Sequence, residues 1–162
     1  MDKRMKIEIP NDLENNGCFV CGPKNPMGFH LRYFREKDKV ISEVTPAEHY
    51  CGFQKIFHGG LQCTVLDDLT IWTVMVLRGK MGATKELKAL FYKPTYVGEK
   101  LTLEGKIISE NDNIYTVEGK LFNEKGVLCT KVISEVLAVN KALFKKFTGW
   151  DEIPESWAKY LY

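Results

Sequence analysis

Basic runs are missing from this chain, and with them the usual route to nucleic acid. Its 162 residues carry 23 Lys and Arg against 21 Asp and Glu, a net charge of +2. That imbalance is too small to point to a polyanion or a membrane surface; Lys3-Arg4 and Lys145-Lys146 are isolated pairs. No apolar h-region opens the chain, since Met1 to Asp12 is charged, so no secretory signal is expected. The longest candidate membrane run, Ile71 to Leu77, is far short of a span. Cysteine is scattered: Cys18, Cys21, Cys51, Cys63 and Cys129 make an odd, irregular set that fits reduced thiols in a cytoplasm. No G-x-S-x-G occurs, which excludes a serine hydrolase of the elbow type. Internal repeats, low-complexity stretches and linkers are also absent. The expectation is one soluble cytoplasmic domain with an ordinary core.

What is present concentrates in one segment, Gly52 to Asp68. There Gly59-Gly60 opens an apolar helical pattern, and Asp67-Asp68 sits two turns inside it. Carboxylates cost free energy to bury, so an apolar helix that carries them needs a reason. Glycines at a helix start leave N–H groups open to an anion, favoured there by the dipole. An anion cradle and a carboxylate in one segment point to acyl transfer.

Around that segment the pattern is legible. Residues 1–27 are turn-rich, with Asn15-Asn16-Gly17, Gly22-Pro23 and Asn25-Pro26. Strands are expected over 29–34 and 40–44, then a helix from Gly60 to about Leu77, apolar nearly all round and therefore buried. Four more strands are expected over 83–92, 100–108, 114–122 and 127–139, with turns at 111–113 and 123–126. Residues 141–162 read as a tail of two short helices broken at Gly149 and Pro154. A helix apolar on every face within a mostly antiparallel sheet implies a sheet curled around it.

Four stretches resemble the hotdog-fold acyl-CoA thioesterase superfamily, of the phenylacetate-pathway and 4-hydroxybenzoyl-CoA type. They are the Cys18–Leu31 box, Gly52 to Asp67 with its His-Gly-Gly, Ala83–Leu87 leading to Phe91–Pro94, and Tyr96–Leu101. The resemblance spans roughly residues 18–139. It implies an α+β hotdog domain over 1–140, an antiparallel sheet wrapped around one long helix, with 141–162 outside it. It further implies that Asp67 is the catalytic carboxylate and that Gly59 supplies the N–H polarising the thioester carbonyl, with Gly60 beside it. Thr84 matches a Ser or Thr position that orients the water or the acid. The family's dimers place Asp67 and Gly59 in one site from different subunits, so a homodimer or homotetramer is expected. One departure stands out: where many members carry an Asn or Gln that faces the thioester from the loop before the His-Gly-Gly, this chain has Gly52, so Gln54 and His49 are the nearby polar residues expected to take over that substrate contact, with Gly60 letting the acyl group approach the backbone.

The chemistry asks for little more. A thiolate leaves without strong acid help, its conjugate acid having a pKa near ~8.5. What remains is an oxyanion hole and a carboxylate acting as base or nucleophile. His58 reads as a backbone-bonded loop residue or, alternatively, a general base. Asp68 reads as structural, pairing with a neighbouring strand, and His30 as surface or sheet. Cys18 and Cys21 form a lone C-x-x-C that reads as a structural turn, because no second pair follows to complete a metal site. No cofactor and no metal are expected. The implied function is acyl-CoA thioester hydrolysis. The alternatives are a non-catalytic acyl-CoA-binding domain, or a hydratase or dehydratase, which would want a histidine that the helix lacks.

Overall fold

The computed structural model describes residues 6–11 and 16–161. Lys3-Arg4 and Asn15, read above as surface and turn, lie outside the described residues. A twenty-residue helix, α1 (Gly59–Arg78), organises the chain. Val65, Leu66, Leu69 and Val74 on it are fully buried. His58 caps the start by accepting the Gly60 N–H, and Gly79, at φ 65°, ends it with its N–H on the Met75 carbonyl. Thr70 and Thr73 are buried as well. Each returns its hydroxyl to the helix backbone, on the carbonyls of Asp67 (2.8 Å) and Leu69 (2.7 Å). By length and composition α1 could cross a membrane; here it is the core helix beneath a sheet.

Among the described residues that sheet has seven antiparallel strands: β1 (Ile7–Glu8), β2 (Phe34–Glu36), β3 (Lys39–Val44), β4 (Gly82–Phe91), β5 (Leu101–Asn111), β6 (Ile114–Phe122) and β7 (Leu128–Ala138). Their order is β1-β2-β3-β5-β6-β7-β4, which leaves β4 as a sheet edge. Along β6 every second residue (Tyr115, Val117, Gly119, Leu121) is buried, the period-2 pattern of a sheet with one covered face. α1 lies against β3 to β7, the hotdog arrangement expected above.

The close fit of helix to sheet depends on two glycines. Gly105 and Gly119 are cross-strand partners in β5 and β6. A Cβ on Gly105 would fall 2.1 Å from Thr73 Oγ1, and one on Gly119 would fall 2.8 Å from Val132 Cγ2. A side chain on Gly105 would push helix and sheet apart, and one on Gly119 would collide with its β7 neighbour in the same sheet.

Two expectations need correction. Residues 29–34 alternate as read, with Leu31 and Tyr33 buried and His30 and Arg32 exposed, yet only Phe34 enters the sheet. His30 sits at φ 53°, which breaks the extended run, and the N–H groups of Phe29 and Leu31 bond instead to the carbonyls of Phe19 and Val20. The sheet also has seven strands rather than six, because the turn-rich start contributes β1. The tail forms α2 (Lys141–Thr148) and α3 (Glu155–Ala158). It packs on the main core through buried Phe144, with Trp157 and Tyr160 beside it, and Met81 N–H bonds the Tyr160 carbonyl at 2.6 Å.

Candidate active site

Asp67 stands two turns into α1, half-buried, on the side facing β4. Thr84, near the start of β4, donates its hydroxyl to Asp67 Oδ1 at 2.6 Å. One carboxylate oxygen is therefore engaged and oriented, which leaves Oδ2 for another partner. Cys63, one turn earlier, has its thiol pushed up by burial and by the Asp67 charge.

The start of the helix is built by a loop that turns sharply. Gly52 N–H bonds the Ile56 carbonyl at 2.8 Å, and Gln54 at the tip takes φ 52°. Phe57, His58 and the first turn are then tied down by backbone and side-chain bonds. Buried Gln62 donates to the Phe57 carbonyl at 2.8 Å and accepts from Thr130 Oγ1 at 2.5 Å. Gln62 was not singled out in the sequence; a lone amide among apolar residues at a helix start was its only signal.

His58 Nδ1 accepts the Gly60 N–H at 3.0 Å, so a neutral ring carries its proton on Nε2. That arrangement makes the ring a cap rather than a proton acceptor. It also occupies the Gly60 donor, while the Gly59 N–H has no partner among the described residues. Gly59 adjoins the far end of β4, where a Cβ on it would lie 3.4 Å from Phe91 Cε1. A Cβ on Gly52 would meet His58 Cδ2 at 3.0 Å, so an Asn or Gln at that position needs the His58 ring to shift. Gln54 is exposed, and His49, also exposed, packs its ring against Tyr50 at 4.2 Å. His49 lines a cavity with Phe29, Glu43 and Tyr50 that includes neither Asp67 nor Gly59.

Two groups thus emerge: Asp67 with Thr84, and the Gly59 N–H with the His58 cap. Eight residues of helix separate them, about 12 Å at 1.5 Å per residue. Along the helix axis that spacing is several times the length of a carbonyl group.

Asp68 belongs to neither group. Tyr33 donates to its Oδ2 at 2.5 Å, and Cys18 and Cys21 Sγ lie 3.7 and 3.8 Å from its Oδ1. Burial, reinforced by Cys18, raises the Asp68 carboxyl to about 7. The Cys21 thiol donating to Cys18 draws Cys18 down to about 5, and Cys21 is pushed up in turn. Burial beside this carboxylate also raises Tyr33.

Residues 54–130 match the family model of the thioesterase superfamily. A protein of Saccharolobus solfataricus described as a "putative esterase" is 27% identical over 99 residues, 60% of this chain and 70% of that one. The thioesterase superfamily protein RHA08564 superposes with a TM-score of 0.70 at 28% identity, over 75% of this chain. The chain spans 60% of the length of that protein. A hypothetical thioesterase protein from Streptococcus pneumoniae TIGR4, solved with coenzyme A, superposes with a TM-score of 0.60 at 18% identity, over 63% of this chain and 82% of its own. The same protein has been solved with an aspartate, and separately a threonine, replaced by alanine. The likeness to hotdog-fold thioesterases carried by the sequence is matched by both family model and fold.

Proposed function

We propose that this chain hydrolyses acyl-CoA thioesters in a site shared by two copies. The observation that carries the reading is the pairing of Asp67 with Thr84 on the face that adjoins the unpaired edge strand β4. Asp67 Oδ2 activates a water, or attacks the carbonyl itself, while Thr84 holds Oδ1 and fixes the carboxylate's aim. The free N–H of Gly59 from the second copy receives the developing oxyanion. Coenzyme A then leaves as a thiolate, without a general acid.

The axial spacing of the two groups along α1 favours a second copy. β4 is the natural seam. It is ten residues long, unpaired on one side, and exposes Leu90 and Phe91, with Tyr92 just beyond. Its unpaired backbone groups and its apolar far end favour pairing with another strand, while Lys85, Glu86 and Lys88 restrict which strand that is. Two β4 strands side by side make one continuous sheet and bring the Thr84 side of one copy towards its partner. The S. pneumoniae protein supports the reading by its bound coenzyme A and by the residue types chosen for replacement.

The test is thiol release from short, medium, long and aromatic acyl-CoAs, comparing the native chain with Asp67→Asn. Turnover that collapses in Asp67→Asn supports the reading. Acyl-CoA binding with no turnover across the panel overturns it in favour of a binding domain.

A further inference from the structure

Cys18, Cys21 and Asp68 bring two thiols and a carboxylate to one point, about 100° round α1 from Asp67. Their Sγ, Sγ and carboxylate oxygen atoms all lie within 4.8 Å of one another. In tetrahedral zinc, with Zn–S of about 2.3 Å and Zn–O of about 2.0 Å, neighbouring S and O ligands stand about 3.5 Å apart. The two S···O separations here, 3.7 and 3.8 Å, are close to that edge.

The surroundings match the same chemistry. Val20 N–H donates to Cys18 Sγ at 3.4 Å, and Asn16 Nδ2 donates to Cys21 Sγ at 3.8 Å. Sulfur atoms that accept N–H bonds are prepared to carry negative charge. Tyr33 holds Asp68 Oδ2 and leaves Oδ1 facing the sulfurs, the outer-shell orientation that metal-binding carboxylates receive. No Lys, Arg or His forms an ion pair with Asp68 among the described residues. Three acidic side chains in a largely buried pocket without a cation are costly unless they stay protonated or bind one.

We propose that Cys18, Cys21 and Asp68 bind a zinc ion, with water as the fourth ligand. Two sulfurs and one carboxylate disfavour magnesium and calcium and suit a borderline-soft tetrahedral ion. The metal pins residues 16–22, a stretch with neither helix nor strand, to the middle of α1. It is a structural tie: Asp67 and Thr84 take no part in it, and hydrolysis does not pass through it. The C-x-x-C alone is half a site, and the fold supplies the third ligand from 47 residues further along the chain.

The experiment is elemental analysis of the full chain, purified without chelator from zinc-supplemented cells. The expected result is about one zinc per chain, falling about tenfold or more in Cys18→Ser, Cys21→Ser and Asp68→Asn. Cys51→Ser keeps its metal. Cobalt titration of the stripped native chain gives a second readout that needs no variant to fold. Sulfur-to-cobalt absorption should saturate at about one equivalent, since both thiolates are ligands. A native chain without zinc that also shows no such absorption overturns the proposal. So does zinc retained in both cysteine variants, or a Cys18–Cys21 disulfide in metal-free chain purified under reducing conditions. None of these readings depends on thioester turnover, so this proposal and the hydrolase reading fail separately.

Discussion

Thr84 Oγ1 donates to Asp67 Oδ1 at 2.6 Å, a bond from the edge strand to the core helix that joins residues 17 apart in sequence. It fixes one oxygen of the carboxylate and leaves the other to the substrate side. In the proposed mechanism Thr84 is a positioning residue that acts through Asp67. Thr84→Ala should therefore lower kcat about tenfold to a hundredfold while KM changes little. Thr84→Ser keeps the hydroxyl and should restore most of the rate. Steady-state kinetics on the preferred acyl-CoA check this, and a pure KM effect would contradict it.

Gly59→Pro removes the free N–H at a position where proline fits. The first helical residue tolerates proline, and His58, at ψ 128°, already has the extended backbone proline requires before it. The expected outcome is a drop in kcat on the order of a hundred- to a thousandfold, with the melting temperature little changed. Gly59→Ala keeps the N–H and adds a Cβ in ordinary contact with Phe91, so it should keep most of its activity. Similar losses in both variants would mean that space, not the donor, matters at this position.

Gly105→Ala should destabilise the chain by about 1–3 kcal/mol through overpacking against Thr73. Urea unfolding measures it. Combining Gly105→Ala with Thr73→Ala removes the clashing hydroxyl and should recover part of the loss. Full additivity of the two would contradict the close approach of β5 to α1.

Most of the fold was legible because its elements obey their periods. α1, β4 to β7 and the tail helices lie within a few residues of where apolar spacing and turn residues place them. The failures are instructive. His30 at positive φ ends the regular extension of residues 29–34, and alternation alone cannot reveal a single left-handed residue. That Asp67 and Thr84 meet could be anticipated from the resemblance, and they are hydrogen-bonded. Asp68 reads as structural, but its partners were not legible: it bonds Tyr33, just ahead of β2, and meets two cysteines from a turn, and these contacts arise only when distant segments pack. Cys18 and Cys21 lie in a turn, as read, but their meeting with Asp68 is hidden for the same reason, and Gln62 gave no hint of its bridge to Thr130.

The central claim is that Asp67 and Gly59 serve one site from two copies, and complementation tests it most directly. Asp67→Asn and Gly59→Pro chains, each inactive alone, are co-expressed and purified together. Random pairing makes half of the dimers mixed, and each mixed dimer holds one intact site. The account predicts recovery of about a quarter of native activity, as two-fold symmetry requires. A mixture no more active than its two parents would contradict it.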